Sequence, residues 1–161
     1  MTTSHLRSAK RHGNRPGIKD IWNAFMVKGA IFTENDIPIC PTTATALPND
    51  IILWTEARII YKRELARGNK KFHYNAFVCF YLDDYKFDNT KGIWFHSAQA
   101  LRILRHFDGV ITPDFSTYQD FVYPIKLGNT YRMRAFGHWL GKQGIAVINN
   151  VRWGTPETYS N

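Results

Sequence analysis

The sequence has few of the residues that build disulfide frameworks and metal clusters. Its 161 residues include only two cysteines, Cys40 and Cys79, and its six histidines show no ligand spacing. Both cysteines lie in apolar stretches far apart in the chain, so we expect buried, reduced thiols. A disulfide-stapled module and a zinc-ligand motif are therefore excluded as the basis of the fold.

Long apolar runs are also missing. No stretch approaches the roughly 20 apolar residues that a membrane-spanning helix needs. The N-terminal residues are basic and lack the hydrophobic core of a signal peptide. We therefore expect a cytoplasmic protein with no membrane partner.

Acidic residues are scarce beside basic ones, 13 against 21, and the formal net charge at pH 7 is +8. This excess favours nucleic acid as the partner, because Lys and Arg displace counterions from phosphates. An acidic protein partner and simple solubility are the alternatives. No Asp or Glu occurs in residues 1–19, which predicts a flexible basic arm before a single domain over residues 20–161. We expect the arm to bind nucleic acid through Arg7, Lys10, Arg11 and Arg15.

What is present is a repeated alternation of apolar and amphipathic segments. The pattern predicts strands at residues 36–41, 76–82, 109–115 and 145–151, and helices near residues 48–68, 97–106 and 125–142. This order favours right-handed crossover units. The predicted fold class is α/β, with a parallel sheet of about four strands and crossover helices, either an open sheet or an incomplete β/α barrel.

Polar side chains follow the predicted strands at the point where each strand ends. Because ligands bind at the carboxyl ends of parallel strands, we expect a site there. Its predicted catalytic residues are Asp84, Asp114 and Ser116, and its cleft residues are Asp83, Asn149, Asn150 and Trp153, with Cys40 on the same edge. The alternative is that the Asp and Asn residues only turn the chain and cap helices.

Two carboxylates from neighbouring strands, Asp84 and Asp114, can hold a magnesium ion, which prefers oxygen ligands and leaves positions for phosphate. Metal-dependent, nuclease-like phosphoryl transfer is the chemistry that fits a basic protein. A nucleoside or sugar pocket is an alternative for the same residues. Arg132 and Arg134, in a predicted helix, are expected to contact nucleic acid, and a solvated basic helix face is the competing interpretation.

Three blocks, DIPICPTT at residues 36–43, FDGVITPDFSTYQDF at 107–121 and YRMRAFGHWLGKQGIAVINNVRW at 131–153, resemble a family of bacterial, phage and mobile-element proteins known as domain of unknown function 4417. The resemblance implies an α/β protein that continues beyond the position of Trp153, so this chain would lack a C-terminal portion. It also implies a phage or mobile-element accessory protein. The main alternative to nucleic-acid binding is an interaction protein that inhibits or recruits a host or defence complex.

Overall fold

The local sequence pattern produces short strands alternating with helices. A computed structural model describes residues 7–8, 20–152 and 154–156. In chain order its elements are β1 (Arg7–Ser8), a 3-10 helix (Ala24–Val27), β2 (Ile31–Phe32), β3 (Ile51–Leu53), α1 (Trp54–Ala66), β4 (Tyr74–Cys79), a 3-10 helix (Asp84–Lys86), α2 (Ser97–Leu104), β5 (Phe107–Ile111), α3 (Tyr123–Lys142) and β6 (Val147–Ile148).

Four of these strands form one parallel sheet in the order β3-β4-β5-β6, which is also their order in the chain. Right-handed crossovers that always advance in one direction place α1, α2 and α3 on the same face of the sheet. The predicted α/β class with a four-stranded parallel sheet is confirmed. Over the described residues the sheet is not closed into a barrel.

The core lies between this sheet face and the helices. Val78, Val110 and Val147 are in register on neighbouring strands and are fully buried. They belong to one apolar cluster with Leu104 of α2 and Phe136 of α3. Continuous burial of this kind explains why the strand segments are apolar almost throughout.

The outer edge of β6 is covered by the segment that precedes β3. The backbone N–H of Thr43 donates to the carbonyl of Val147 at 2.8 Å, and the Val147 N–H donates to the Thr43 hydroxyl at 2.9 Å. The Asn149 N–H donates to the hydroxyl of Thr42 at 3.3 Å. Threonine hydroxyls thus replace part of a backbone ladder, and this edge of the sheet is not left unpaired.

Helix ends follow local signals. Glu56 in the first turn of α1 accepts a hydrogen bond at 2.8 Å from the backbone N–H of Leu53, and Gly68 ends the helix with φ +79°. Helix α3 carries Pro124 in its first turn, where no N–H is needed, and is followed by Gly144 at φ +81°. No described helix is long and apolar enough to cross a membrane.

The predicted first strand is wrong. Within residues 36–41 only Pro38 makes an isolated bridge, with Phe32. The first strand of the parallel sheet is instead β3, inside the segment predicted as helix. Because the three residues of β3 are followed directly by α1, the helical periodicity was extended over them in the prediction. Cys40 does not end a strand of the sheet. It is buried against α3, where a β-carbon on Gly137 would collide with its sulfur and with Thr112, the residue that follows β5.

Part of the predicted N-terminal arm pairs with the body of the protein. Arg7 and Ser8 form an antiparallel ladder with Phe32 and Ile31 of β2. Lys10, Arg11 and Arg15 lie outside the described residues. The arm as a nucleic-acid-binding element stays a prediction.

Candidate functional site

The loops that follow β4, β5 and β6 meet at the carboxyl edge of the sheet. The backbone N–H of Asn150, after β6, donates to the hydroxyl of Thr112, after β5, at 2.7 Å. The 3-10 helix after β4 begins with Asp84, which contacts Ser116 in the loop after β5. Parallel topology therefore brings together most of the polar residues that the sequence predicted to share this edge.

Asp84 and Ser116 form one linked pair. The Ser116 hydroxyl donates to Asp84 Oδ1 at 2.8 Å, and the Ser116 N–H donates to Asp84 Oδ2 at 3.1 Å. The Ser116 carbonyl in turn accepts a hydrogen bond from the side-chain amide of Asn129 in α3. The pair ties the loops after β4 and β5 to the helix behind them.

Asp114 is the centre of a second group. Its carboxylate accepts a hydrogen bond from Asn150 Nδ2 at 3.1 Å and forms an ion pair with the guanidinium of Arg152. Burial raises the pKa of Asp114 above its ordinary value, Arg152 and Asn150 oppose that rise, and the charge of Asp84 adds to it. The two predicted catalytic carboxylates are therefore close enough to influence each other.

An open cleft of about 390 Å³ lies at this edge of the sheet, and we call it the edge cleft. It is lined by acidic side chains, basic side chains and aromatic rings. Its carboxylates come from Asp83 and Asp114, and Ser116 adds an aliphatic hydroxyl. Its remaining walls include Tyr81, Lys86, Tyr118 and Arg152. Tyr81 and Tyr118 are 53% and 54% exposed as whole residues, so both are accessible from solvent.

Asp84 and Asp114 are poor magnesium ligands in this arrangement. They already accept hydrogen bonds from Ser116 and Arg152, and a metal would have to displace those donors. Over the described part of the chain, no group of three or more His, Cys, Asp or Glu side chains can share a metal ion. Magnesium binding here stays a prediction.

The other predicted cleft residues have separate positions. Asp83 is exposed and pairs with Lys86 at 3.4 Å. Asn149 does not line the edge cleft, and its side-chain oxygen is buried with no hydrogen-bond partner among the described residues. Trp153 lies outside the described residues.

Arg132 and Arg134 do not form the solvated basic face of α3 that the sequence suggested as one possibility. Arg132 makes a two-pronged ion pair with Asp88, at 2.9 and 2.7 Å, and its guanidinium lies 4.2 Å from the ring centre of Phe115. Arg134 is partly buried near Cys40, and burial lowers its pKa. Their contact with nucleic acid stays a prediction.

Sequence reasoning missed Lys86, Arg152 and the two tyrosines of the edge cleft. A signal existed for Arg152, since it lies four residues after the end of β6, close to the spacing at which Asp83 follows β4 (four residues) and Asp114 follows β5 (three residues). Tyr118 lies within the 107–121 block, close to Ser116. Lys86 and Tyr81 have no local feature that marks them.

Comparison with known proteins gives one family and two curated phage relatives. Residues 30–161 match the family model described as "Domain of unknown function (DUF4417)". The "Gene 1 protein" of Mycobacterium phage D29 is 28% identical over 153 residues, and that of Mycobacterium phage L5 is 27% identical over 153 residues. Each match covers 95% of this chain but only 52% and 61% of the respective relative, so the chain spans a little over half their length. No solved structure matches.

Proposed function

We propose that this chain, which belongs to the DUF4417 family and is related to phage Gene 1 proteins, binds nucleic acid in the edge cleft. The observation that carries the proposal is the pairing of Arg152 with an exposed tyrosine on the cleft wall. The Arg152 guanidinium lies 6.0 Å from the ring centre of Tyr118. A cation beside an exposed aromatic ring is the combination that holds a phosphate and stacks a base.

Charge supports the same ligand. The chain carries a net charge of +8, and the cleft itself contributes Lys86 and Arg152. Such an excess attracts polyanions and releases counterions when phosphates bind. The two carboxylates of the cleft disfavour phosphate at their own positions, but a carboxylate accepts hydrogen bonds from base amino groups.

The aromatic walls favour single strands over duplexes. Tyr81 and Tyr118 expose more than half of their surface, and bases can stack on such rings only when they are not already paired inside a helix. We therefore expect tighter binding of single-stranded oligonucleotides than of the same sequence as a duplex.

Tyr118→Ala tests the proposal. Loss of one stacking platform should weaken binding of a fluorescein-labelled single strand by about tenfold, measured by anisotropy at several salt concentrations. Trp22→Ala is the matched control, because Trp22 is 66% exposed and lies outside the edge cleft. Equal binding by wild type and Tyr118→Ala, or an equal loss in both variants, would show that the cleft is not the binding site.

Nuclease-like phosphoryl transfer at Asp84 and Asp114 is the finer part of the proposal. The support is that Asp84 lies close enough for its charge to raise the pKa of Asp114. A metal ion bound there would first have to displace the Ser116 and Arg152 donors. Oligonucleotide cleavage should be assayed with Mg²⁺, with Mn²⁺ and with EDTA, using Asp114→Asn as the inactive comparison. Absence of cleavage under every condition would remove the enzymatic part and leave the binding part intact.

A second candidate is an interaction protein that inhibits or recruits a host or defence complex. The observation that favours it is an exposed apolar group beside the first 3-10 helix, Ile21, Trp22 and Phe25. A stoichiometric protein partner that survives nuclease treatment and high salt, and is lost in Trp22→Ala, would support this candidate.

A further inference from the structure

A second cavity at the same edge of the sheet is basic. It has a volume of about 210 Å³ and lies between α1 and α2, beside the loop that follows Lys86. We call it the basic pocket. Its charged and polar lining consists of Arg58, Lys86, Asn89, Lys91, His96 and Gln99, and no carboxylate of the described residues takes part in it.

Two of its cations are not neutralised. Among the described residues, neither Arg58 nor Lys91 forms an ion pair with a carboxylate. His96 Nε2 lies 3.1 Å from the carbonyl of Thr90, so this nitrogen carries the hydrogen and donates it. Positive groups around a concave, carboxylate-free wall concentrate the field and attract an anion.

The size of the pocket limits what can enter. It is smaller than the roughly 300 Å³ at which pockets for drug-sized ligands begin, so it takes one small group rather than a whole nucleotide. Its apolar lining includes Phe87 and Ile93, which are buried. A phosphate group matches the donors, because a guanidinium binds two phosphate oxygens at once and an ammonium adds a point charge.

The basic pocket adjoins the edge cleft, since Lys86 lines both. We propose that the basic pocket binds the terminal phosphate of a nucleic-acid strand whose bases occupy the edge cleft. An internal phosphodiester must continue in both directions, whereas the pocket is bounded by α1 on one side and α2 on the other. The proposal rests on nucleic-acid binding by the edge cleft.

The test compares one short single-stranded sequence with a 5′-phosphate, with a 3′-phosphate and with no terminal phosphate. One of the phosphorylated forms should bind the wild-type protein about tenfold more tightly than the unphosphorylated form, the effect of one charged hydrogen-bonded group. The preference should disappear in the double variant Arg58→Gln, Lys91→Gln. It should persist in Lys62→Gln, Lys70→Gln, which removes the same charge from exposed positions outside both cavities.

Equal binding of the three oligonucleotides, or an equal loss of preference in the two double variants, overturns the proposal. If no oligonucleotide binds, the proposed function fails, and inorganic phosphate then decides whether the pocket takes a phosphate. Phosphate titrated at constant ionic strength should shift the amide NMR signals of Gly92 and His96 in the wild type and not in the Arg58→Gln, Lys91→Gln variant. Absence of such shifts overturns the pocket as a phosphate site.

Discussion

Two arginine–aspartate pairs lie near the carboxyl edge of the sheet, and they differ in the surroundings of the arginine. Asp88 and Asp114 have nearly the same side-chain exposure, 15% and 11%. The arginines differ: the side chain of Arg132 is 24% exposed and that of Arg152 is 36% exposed. We interpret Arg132–Asp88 as a pair that stabilises the fold and Arg152–Asp114 as a pair that borders the edge cleft.

The guanidinium of Arg132 contacts two polar side chains and an aromatic ring. Both oxygens of Asp88 accept its hydrogen bonds, Asn129 Oδ1 accepts another at 2.9 Å, and the ring of Phe115 covers its guanidinium. A planar, two-pronged contact of this kind cannot be reproduced by lysine. The pair joins the loop after β4 to α3.

Arg152 makes one contact with Asp114 and otherwise borders the edge cleft. Asp114 keeps a second donor, Asn150, if Arg152 moves away. Under the proposed function, Arg152 exchanges Asp114 for a phosphate of the nucleic acid. A prediction of their roles from charge alone would treat Arg132 and Arg152 as equivalent.

Arg132→Met should have the largest effect on stability. Asp88 would keep its burial and lose the arginine, and breaking such a pair costs about 3 kcal/mol of unfolding free energy. Urea denaturation measures the loss. The double variant Arg132→Met, Asp88→Leu should recover part of it, because no uncompensated charge remains. A loss of unfolding free energy below about 1 kcal/mol would mean that the Arg132–Asp88 pair contributes no more than an ordinary surface ion pair.

The same substitution in the other pair, Arg152→Met, should lower the unfolding free energy by only about 1 kcal/mol. Water in the open cleft and the amide of Asn150 can solvate Asp114 after the change. Nucleic-acid binding should weaken instead, which anisotropy measures. If this variant loses as much stability as Arg132→Met and binds normally, Arg152 has a structural role.

Asp114→Asn should have the smallest effect and one that depends on pH. Burial raises the pKa of Asp114, so the folded protein binds that proton more tightly than the unfolded chain. The contribution of this carboxyl to stability therefore falls as the pH rises from its ordinary pKa of 3.8 through the raised folded value.

The wild type should accordingly gain stability relative to Asp114→Asn when the pH is lowered from neutral to about 4. Urea unfolding of both proteins at the two pH values gives the difference, in which the other titrating groups cancel. A difference that is the same at both pH values would contradict the raised pKa.

Sequence alone was sufficient for the α/β class, for β4 to β6 and for the three helices. Each of these depends on neighbouring residues: apolar runs for the strands, helical spacing for α1 and α3, and Gly68 and Gly144 for the helix ends. The sequence prediction failed at β3, whose three residues are followed directly by α1. A strand that short has no period of its own and is defined by its pairing with β4.

The identity of the site residues was only partly accessible. Parallel topology implied that polar residues after each strand would meet, and Asp84, Ser116, Asp114 and Asn150 do so. The basic pocket was not predictable, because Arg58 comes from α1, whereas Lys91 and His96 come from the loop that precedes α2.

The roles of the two arginines were decided by tertiary structure alone. Arg132 pairs with Asp88, which is 44 residues away in the sequence, and Arg152 pairs with Asp114, which is 38 residues away. Local sequence determines which backbone segments become strands and helices, since those hydrogen bonds and periodicities span a few residues. Whether a charge ends in a packed ion pair or beside open solvent depends on contacts between distant segments, which form only when the chain has folded.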